Sequence, residues 1–193
     1  MQQQINSIDE LIALVKENQQ SADRLVIGIS GFGGSGKSTL CNKLSSRFPT
    51  ATVIHVDDFI ETNEDGALPG YPHDWNKFEE LTLKRLKSGN SVTSKIYDWQ
   101  TNKLINTKTT VSQLILIDGP ATLLQEKYRP YIDLSIWLDV PHEVATARGK
   151  KRDKEEQGVD HDELWDTVWA PLEAQGFQDN RPDKQADILF PNP

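Results

Sequence analysis

The chain has 193 residues, of which 36% are hydrophobic and 26% charged, enough for one domain with a full core and too few for two. Its formal net charge of −8 opposes capture by nucleic acid or an anionic membrane, because both depend on Lys and Arg neutralising phosphate. The opening Met-Gln-Gln-Gln has neither the basic region nor the apolar core of a signal segment, no stretch is apolar over a membrane-spanning length, and Cys41 stands alone. The expectation is therefore a cytoplasmic protein with no nucleic-acid or membrane partner and no internal disulfide, with homo-oligomerisation left open.

In chain order, Ser7-Ile8-Asp9-Glu10 has the form of a capping box, and Ile8, Leu11, Ile12 and Val15 share a helical face, which predicts an amphipathic helix packed beside the first strand. Residues 24–30 form a short apolar run that reads as a buried strand, and residues 37–48 carry Leu40, Cys41 and Leu44 at helical spacing, with Cys41 as a small core residue. A second buried strand over 51–57 delivers Asp57 and Asp58 at its end. The polar stretch 60–72 reads as a loop, 74–87 as a helix with Phe78, Leu81 and Leu86 inward, stopped by Gly89-Asn90, and 91–110 as a small hairpin-like insertion.

Strands follow at 114–118 and 134–140, with a helix between them over about 121–128. Pro141 suits the first turn of a helix through Arg152, within a lid region spanning 141–160. Leu164, Trp165, Val168 and Trp169 make an apolar stripe before Pro171 perturbs the helix, and 186–190 supplies a last strand. Strands alternating with helices imply one α/β domain over 1–193, a mostly parallel sheet with helices on both faces. Ligands of such sheets sit beyond the carboxyl ends of the strands, which gathers residues distant in sequence at one edge.

Between the first strand and its helix, residues 31–38 read Gly-Phe-Gly-Gly-Ser-Gly-Lys-Ser and fill every fixed position of the phosphate-cradling loop G-x-x-x-x-G-K-[ST]. Glycines let the backbone turn its N–H groups onto phosphate oxygens, and the following helix presents its positive dipole end. Gly31, Gly33, Gly34, Ser35, Gly36, Lys37, Ser38 and Thr39 are the candidate ATP contacts, with Lys37 on the outer phosphates. Ser38 and the strand-end Asp118 are the candidate Mg²⁺ ligands. Phosphoryl transfer also needs an oriented attacking oxygen and cations for developing charge, and Asp57 and the pair Arg148 and Arg152 are placed for those tasks. On a regular helix Arg148 and Arg152 share a face, from which they would close over ATP together. Trp165 and Trp169 recur at a core spacing, whereas Tyr97, Trp99 and Trp75 lie in polar surroundings that suit either a planar substrate or a local mini-core.

Ordered landmarks extend the pattern: Asp57-Asp58-Phe59, Tyr71-Pro72-His73-Asp74, Tyr97-Asp98-Trp99, Asp118-Gly119-Pro120 and the run from Arg148 to Arg152-Asp153. Together with the loop they resemble the uridine kinase and phosphoribulokinase family of P-loop kinases from about residue 24 to 190. The resemblance implies transfer of the γ-phosphoryl group of ATP, with Mg²⁺, to a hydroxyl of a small molecule. It matches Asp57 to the catalytic aspartate, Asp118 to the strand-end acid that is usually Glu, and Arg148 and Arg152 to lid arginines. It places Tyr71, His73, Tyr97 and Trp99 on the acceptor side. Two groups that nucleoside-specific members carry are missing: a His after the tyrosine motif, where Gln100-Thr101-Asn102-Lys103 stands, and an Arg-Gly-Arg step after the lid pair, where Gln157-Gly158-Val159 stands. Uridine is one candidate acceptor, and pantothenate, a nucleoside-like vitamin or a sugar phosphate are others. The phosphate loop also admits an ATPase or switch acting on a protein partner, although the guanine-reading pattern Asn-Lys-x-Asp is absent.

Overall fold

A computed structural model describes residues 2–192 other than 64, 65, 68, 69, 71, 89, 90, 99, 100, 102, 110, 111 and 157. The chain opens with a short strand, β1 (Gln3–Gln4), that the sequence pattern does not reveal. Helix α1 (Ile8–Gln20) follows, capped by Ser7, whose hydroxyl accepts from the Glu10 amide, while Glu10 reaches back to the Asn6 amide. Strand β2 (Leu25–Ser30) leads through the glycine-rich loop into α2 (Lys37–Arg47). Strand β3 (Thr52–His55) ends two residues earlier than its apolar run suggests, and Asp57 and Asp58 lie on the 3₁₀ turn Val56–Asp58. The short strands β4 (Thr62–Asn63) and β5 (Gly66–Ala67) pair antiparallel.

The expected helix over 74–87 is present, with a wide π-turn in its middle: α3 (Trp75–Phe78), the π-turn Glu79–Leu83 and α4 (Lys84–Lys87) run on continuously. The hairpin-like insertion is an antiparallel pair, β6 (Val92–Asp98) and β7 (Lys103–Thr109). Between β8 (Leu114–Gly119) and β9 (Leu134–Asp139) the expected α-helix is replaced by 3₁₀ turns at Ala121–Leu124 and Arg129–Tyr131. Pro120 and Pro130 bracket this segment, and the second keeps Arg129 from continuing an α-helix. Helix α5 (His142–Glu155) starts directly after Pro141. The helical stretch α6 (Asp162–Leu164), π-turn Trp165–Trp169 and α7 (Ala170–Asn180) absorbs Pro171 through that wide turn rather than stopping at it. Helix α8 (Pro182–Gln185) and strand β10 (Ile188–Pro191) complete the chain.

The main sheet has six strands in the order β1-β10-β9-β2-β8-β3, all parallel. Both faces are covered, so the strands alternate between two cores. Leu25, Ile27 and Ile29 pack with Leu11, Val15, Leu40, Cys41 and Leu44 from α1 and α2. Val26, Ile115 and Ile117 pack with Phe59, Phe78, Leu83 and Leu123 on the opposite face. From β2 the chain passes over β8 to reach β3, returns to β8, and then crosses β2 to reach β9. That reversal creates a switch point at the carboxyl end of β2, where the glycine-rich loop sits. Among the described residues, no helix is long and apolar enough to cross a membrane.

Candidate active site

The loop between β2 and α2 folds over itself, with the Ser35 amide donating to the Phe32 carbonyl at 3.0 Å. Gly34 (φ +80°) and Gly36 (φ +97°) adopt left-handed backbone that side-chain-bearing residues resist. A methyl group on Gly34 would also strike the Ala145 carbonyl of α5, which lies directly over the loop. Gly36 caps α2, so the positive end of that helix opens onto the loop, with the exposed Ser38 and Thr39 in its first turn. Lys37 Nζ donates to the carbonyls of Gly31 and Phe32, both at 3.0 Å. Among the described residues no carboxylate lies within ion-pair distance of this ammonium, which leaves its charge for an anionic ligand.

Three carboxylates stand at the carboxyl ends of neighbouring strands. Asp118 is buried on β8 beside β3; one oxygen accepts from His55 Nδ1 at 2.7 Å, and the other, Oδ2, has no hydrogen-bond partner among the described residues. The hydrogen bond to Asp118 raises the His55 pKa above its usual value against the opposing effect of burial. Asp57 accepts from His73 Nε2 at 2.9 Å, although 67% of its side-chain surface is accessible. Desolvation pushes its pKa up, but the hydrogen bond and charge of His73, with Lys37 and His55, outweigh that and hold the carboxyl below its usual value. Its neighbour Asp58 moves the other way: burial, then the charges of Asp57 and Asp118 acting against His55, push it up to about 6. The two adjacent acids are thus displaced in opposite directions.

A buried Asp118 oxygen without a partner among the described residues, the exposed Ser38 hydroxyl and the helix end opening onto the glycine-rich loop fit a triphosphate tail with a divalent cation. Among the described residues no group of three His, Cys, Asp or Glu could hold a metal ion. A cation here would therefore draw part of its coordination from phosphate and water, as Mg²⁺ does in such sites.

The two arginines expected on a lid, Arg148 and Arg152, have different partners. Arg148 Nη1 donates to the Asn192 carbonyl at 2.9 Å, and the Asn192 side chain in turn donates to the Ser35 carbonyl at 2.7 Å, tying α5 and the chain after β10 to the loop. Arg152 bonds Asp153, whose buried carboxylate also accepts from Trp165 Nε1 at 2.8 Å. Trp165 is the packing residue its spacing suggests, lying against Gly33 and Gly149. Tyr97 is buried at 5% exposure, which leaves its ring little open surface for an acceptor. Trp75 belongs to a mini-core, stacked on Tyr128 with ring centroids 5.3 Å apart. Tyr71 and Trp99 lie outside the described residues.

Sequence reasoning missed three participants. His55 shares a strand with the approach to Asp57, and its two-residue offset was the available signal. Asn192 and Glu173 carry no local signal. Glu173, on α7, accepts from the Gly33 amide at 2.6 Å.

The family model "Phosphoribulokinase / Uridine kinase family" matches residues 71–192. A uridine kinase of Clostridium novyi (strain NT) is 31% identical over 183 residues, covering 86% of this chain and 86% of the relative. A uridine kinase of Borrelia duttonii (strain Ly) is 28% identical over 177 residues, covering 86% and 85%. Among solved structures, one described as a possible uridine kinase from Bacillus stearothermophilus superposes with a TM-score of 0.70 at 23% identity, covering 95% of this chain and 98% of the other, which is a likeness of fold. With a parallel sheet whose switch point carries the phosphate loop, and with relatives that align along most of its length, the chain belongs to the phosphoribulokinase / uridine kinase family and is an ATP-dependent phosphotransferase acting on a hydroxyl of a small molecule.

Proposed function

We propose that the cleft at the carboxyl edge of the sheet moves the terminal phosphoryl group of ATP, with Mg²⁺, onto a hydroxyl of a uridine-like acceptor, and that Asp57 orients that hydroxyl and takes up its proton. The observation carrying this reading is the Asp57–His73 pair. One carboxylate oxygen is fixed by the ring at 2.9 Å, while 67% of the side-chain surface remains accessible. A carboxylate held ionised and steady in this way accepts a proton as bonding to phosphorus develops, a contribution of about 10²- to 10⁴-fold in rate.

Ser38 and Asp118 would hold Mg²⁺, whose chemistry is to bridge phosphate oxygens and neutralise developing charge. Lys37 would leave its loop carbonyls for the outer phosphates, and Arg148, tied to the loop through Asn192, would flank the nucleotide. Arg152 would need to exchange Asp153 for phosphate as the lid moves. Closure of α5 over the loop would exclude water from the phosphoryl group. The names of the aligned relatives make uridine the first acceptor to test, and the absent nucleoside-reading His and Arg-Gly-Arg groups put pantothenate and sugar phosphates in the same panel.

The test is to incubate the purified chain with MgATP and a panel of nucleosides, vitamins and sugar phosphates, and to follow ADP release and product mass. One acceptor should accelerate ADP release and gain a phosphoryl group. ATP hydrolysis that no panel member accelerates, and that a protein partner does, would replace this reading with that of a nucleotide-driven switch.

A further inference from the structure

The phosphate loop meets a carboxyl side chain from a distant part of the fold. Glu173 projects from α7 onto the Gly33 amide at 2.6 Å, and only 19% of its side-chain surface is exposed. Its second oxygen, Oε2, is buried without a hydrogen-bond partner among the described residues, and His142 Nε2 at the start of α5 is 3.9 Å away. This carboxylate is therefore anchored by one donor of the phosphate loop and lies in the field of Lys37. An anion of that size, on that amide and near that lysine, stands in for a phosphoryl group.

We propose that Glu173 sets the affinity for the nucleotide's terminal phosphoryl group, because its carboxylate competes with that group for the Gly33 amide and for the charge of Lys37. The proposal rests on the reading of the loop as a triphosphate site. The titratable groups facing Glu173 are Lys37 from the loop helix, His142 from α5 and Asp57 from the turn after β3. Burial and the Asp57 charge push the Glu173 carboxyl up, while Lys37, the Gly33 amide and His142 oppose them, with burial the largest influence and the net displacement upward. A further anion beside Lys37 adds repulsion to a carboxylate already costly to keep charged. Triphosphate binding must then expel Glu173 from the loop or neutralise it, and either response takes free energy from binding. A diphosphate, lacking the terminal group, escapes most of that conflict. Glu173 accordingly narrows the affinity gap between ATP and ADP, which favours turnover over trapping of the substrate nucleotide.

Calorimetry on the full chain tests this, with Mg²⁺ and either a non-hydrolysable ATP analogue or ADP, for the wild type, Glu173→Gln, Glu173→Asp and Glu173→Ala. Glu173→Gln keeps the size and the acceptor for Gly33 but loses the charge. It should bind the analogue about tenfold tighter, within the usual range for coupled sites, and ADP within about twofold of the wild type. Glu173→Asp, which keeps the charge, should remain closer to the wild type than Glu173→Gln does. Should Glu173→Ala unfold, circular dichroism will show it, and the comparison of the Gln and Asp variants carries the test. Analogue binding by Glu173→Gln that is unchanged or weaker, or a gain shared equally by ADP, overturns the proposal and leaves a structural support for the loop. If the folded wild type and all folded variants bind no triphosphate, the phosphate-site reading falls, and the role of Glu173 falls with it.

Discussion

At the amino edge of the sheet, two acids tie strands together through hydrogen bonds. Asp187, just before β10, accepts from both terminal nitrogens of Arg129 at 3.1 Å, from the Ser135 amide at 2.8 Å and from the Ser135 hydroxyl at 2.6 Å. Asp133, just before β9, accepts from the Val26 amide at 2.8 Å. At the carboxyl edge of the same strands, the pattern reverses: Ser30 Oγ, Ser35 Oγ, Asp118 Oδ2 and Glu173 Oε2 are buried without a hydrogen-bond partner among the described residues. A buried polar atom left unmatched costs about 1–3 kcal/mol, so a fold keeps several together only where something else compensates. One edge holds strands together; the other leaves several buried polar atoms without a partner among the described residues, at the edge where the proposed site lies.

If that division is sound, substitutions at the two edges separate into losses of rate and losses of stability. The largest effect belongs to Asp57→Asn, which should lower kcat by about 10²- to 10⁴-fold. Its melting temperature and its affinity for the ATP analogue should stay close to wild type, since Asp57 is exposed and makes one hydrogen bond. A large loss of stability with kcat preserved would place Asp57 on the structural side.

The next effect is at the opposite edge. Asp187→Asn should cost about 2 kcal/mol in denaturant unfolding, the low end for charged hydrogen bonds because the ion pair is about a third exposed and partly screened. The kcat of the folded variant should not change. Desolvation raises the Asp187 carboxyl, but Arg129 and Ser135 outweigh it and hold the pKa below its usual value. The group therefore contributes stability that is fully present above the ordinary carboxylate range and is lost as pH falls through its depressed native value. Wild-type stability should fall with acidification through this window more steeply than that of Asp187→Asn, and equal slopes would detach Asp187 from the pH dependence.

The smallest effect refines the carboxyl edge. His73 contributes the largest lowering influence on Asp57, and desolvation acts in the opposite sense. His73→Ala should therefore raise the Asp57 pKa, protonate the base at higher pH and move the acid limb of kcat/KM upward, by about one pH unit or less. An acid limb that stays in place, or moves down, would mean that another group sets it.

The sequence revealed the features whose physics is local. The phosphate loop could be read because its donors are the successive amides of one contiguous turn, and the glycines there answer to backbone geometry alone. The strands that became β2, β8 and β9 could be read because a parallel sheet covered on both faces demands unbroken apolar runs. Less certain cues were outweighed by neighbours: the expected helix between β8 and β9 became 3₁₀ turns, with Pro130 disfavouring an α-helical Arg129, and β1 pairs Gln3 and Gln4 with the edge that β10 offers.

The parts of the site that join distant residues came from the tertiary structure. Asp57 and Asp118 were recognisable as strand-end acids, yet their partners His73 and His55 were set by the bridge between Ile60 and His73 and by the register of β3 against β8. Glu173 meets Gly33 across 140 positions, and Asn192 meets Ser35 across 157. Periodicity determined that this chain would form a parallel sheet, and the motif at residues 31–38 marked where a phosphate loop would sit. Which carboxylates stay charged, and which side chain rests on the loop, was decided by packing, because desolvation and hydrogen-bond partners exist only once the helices have closed over the strand ends.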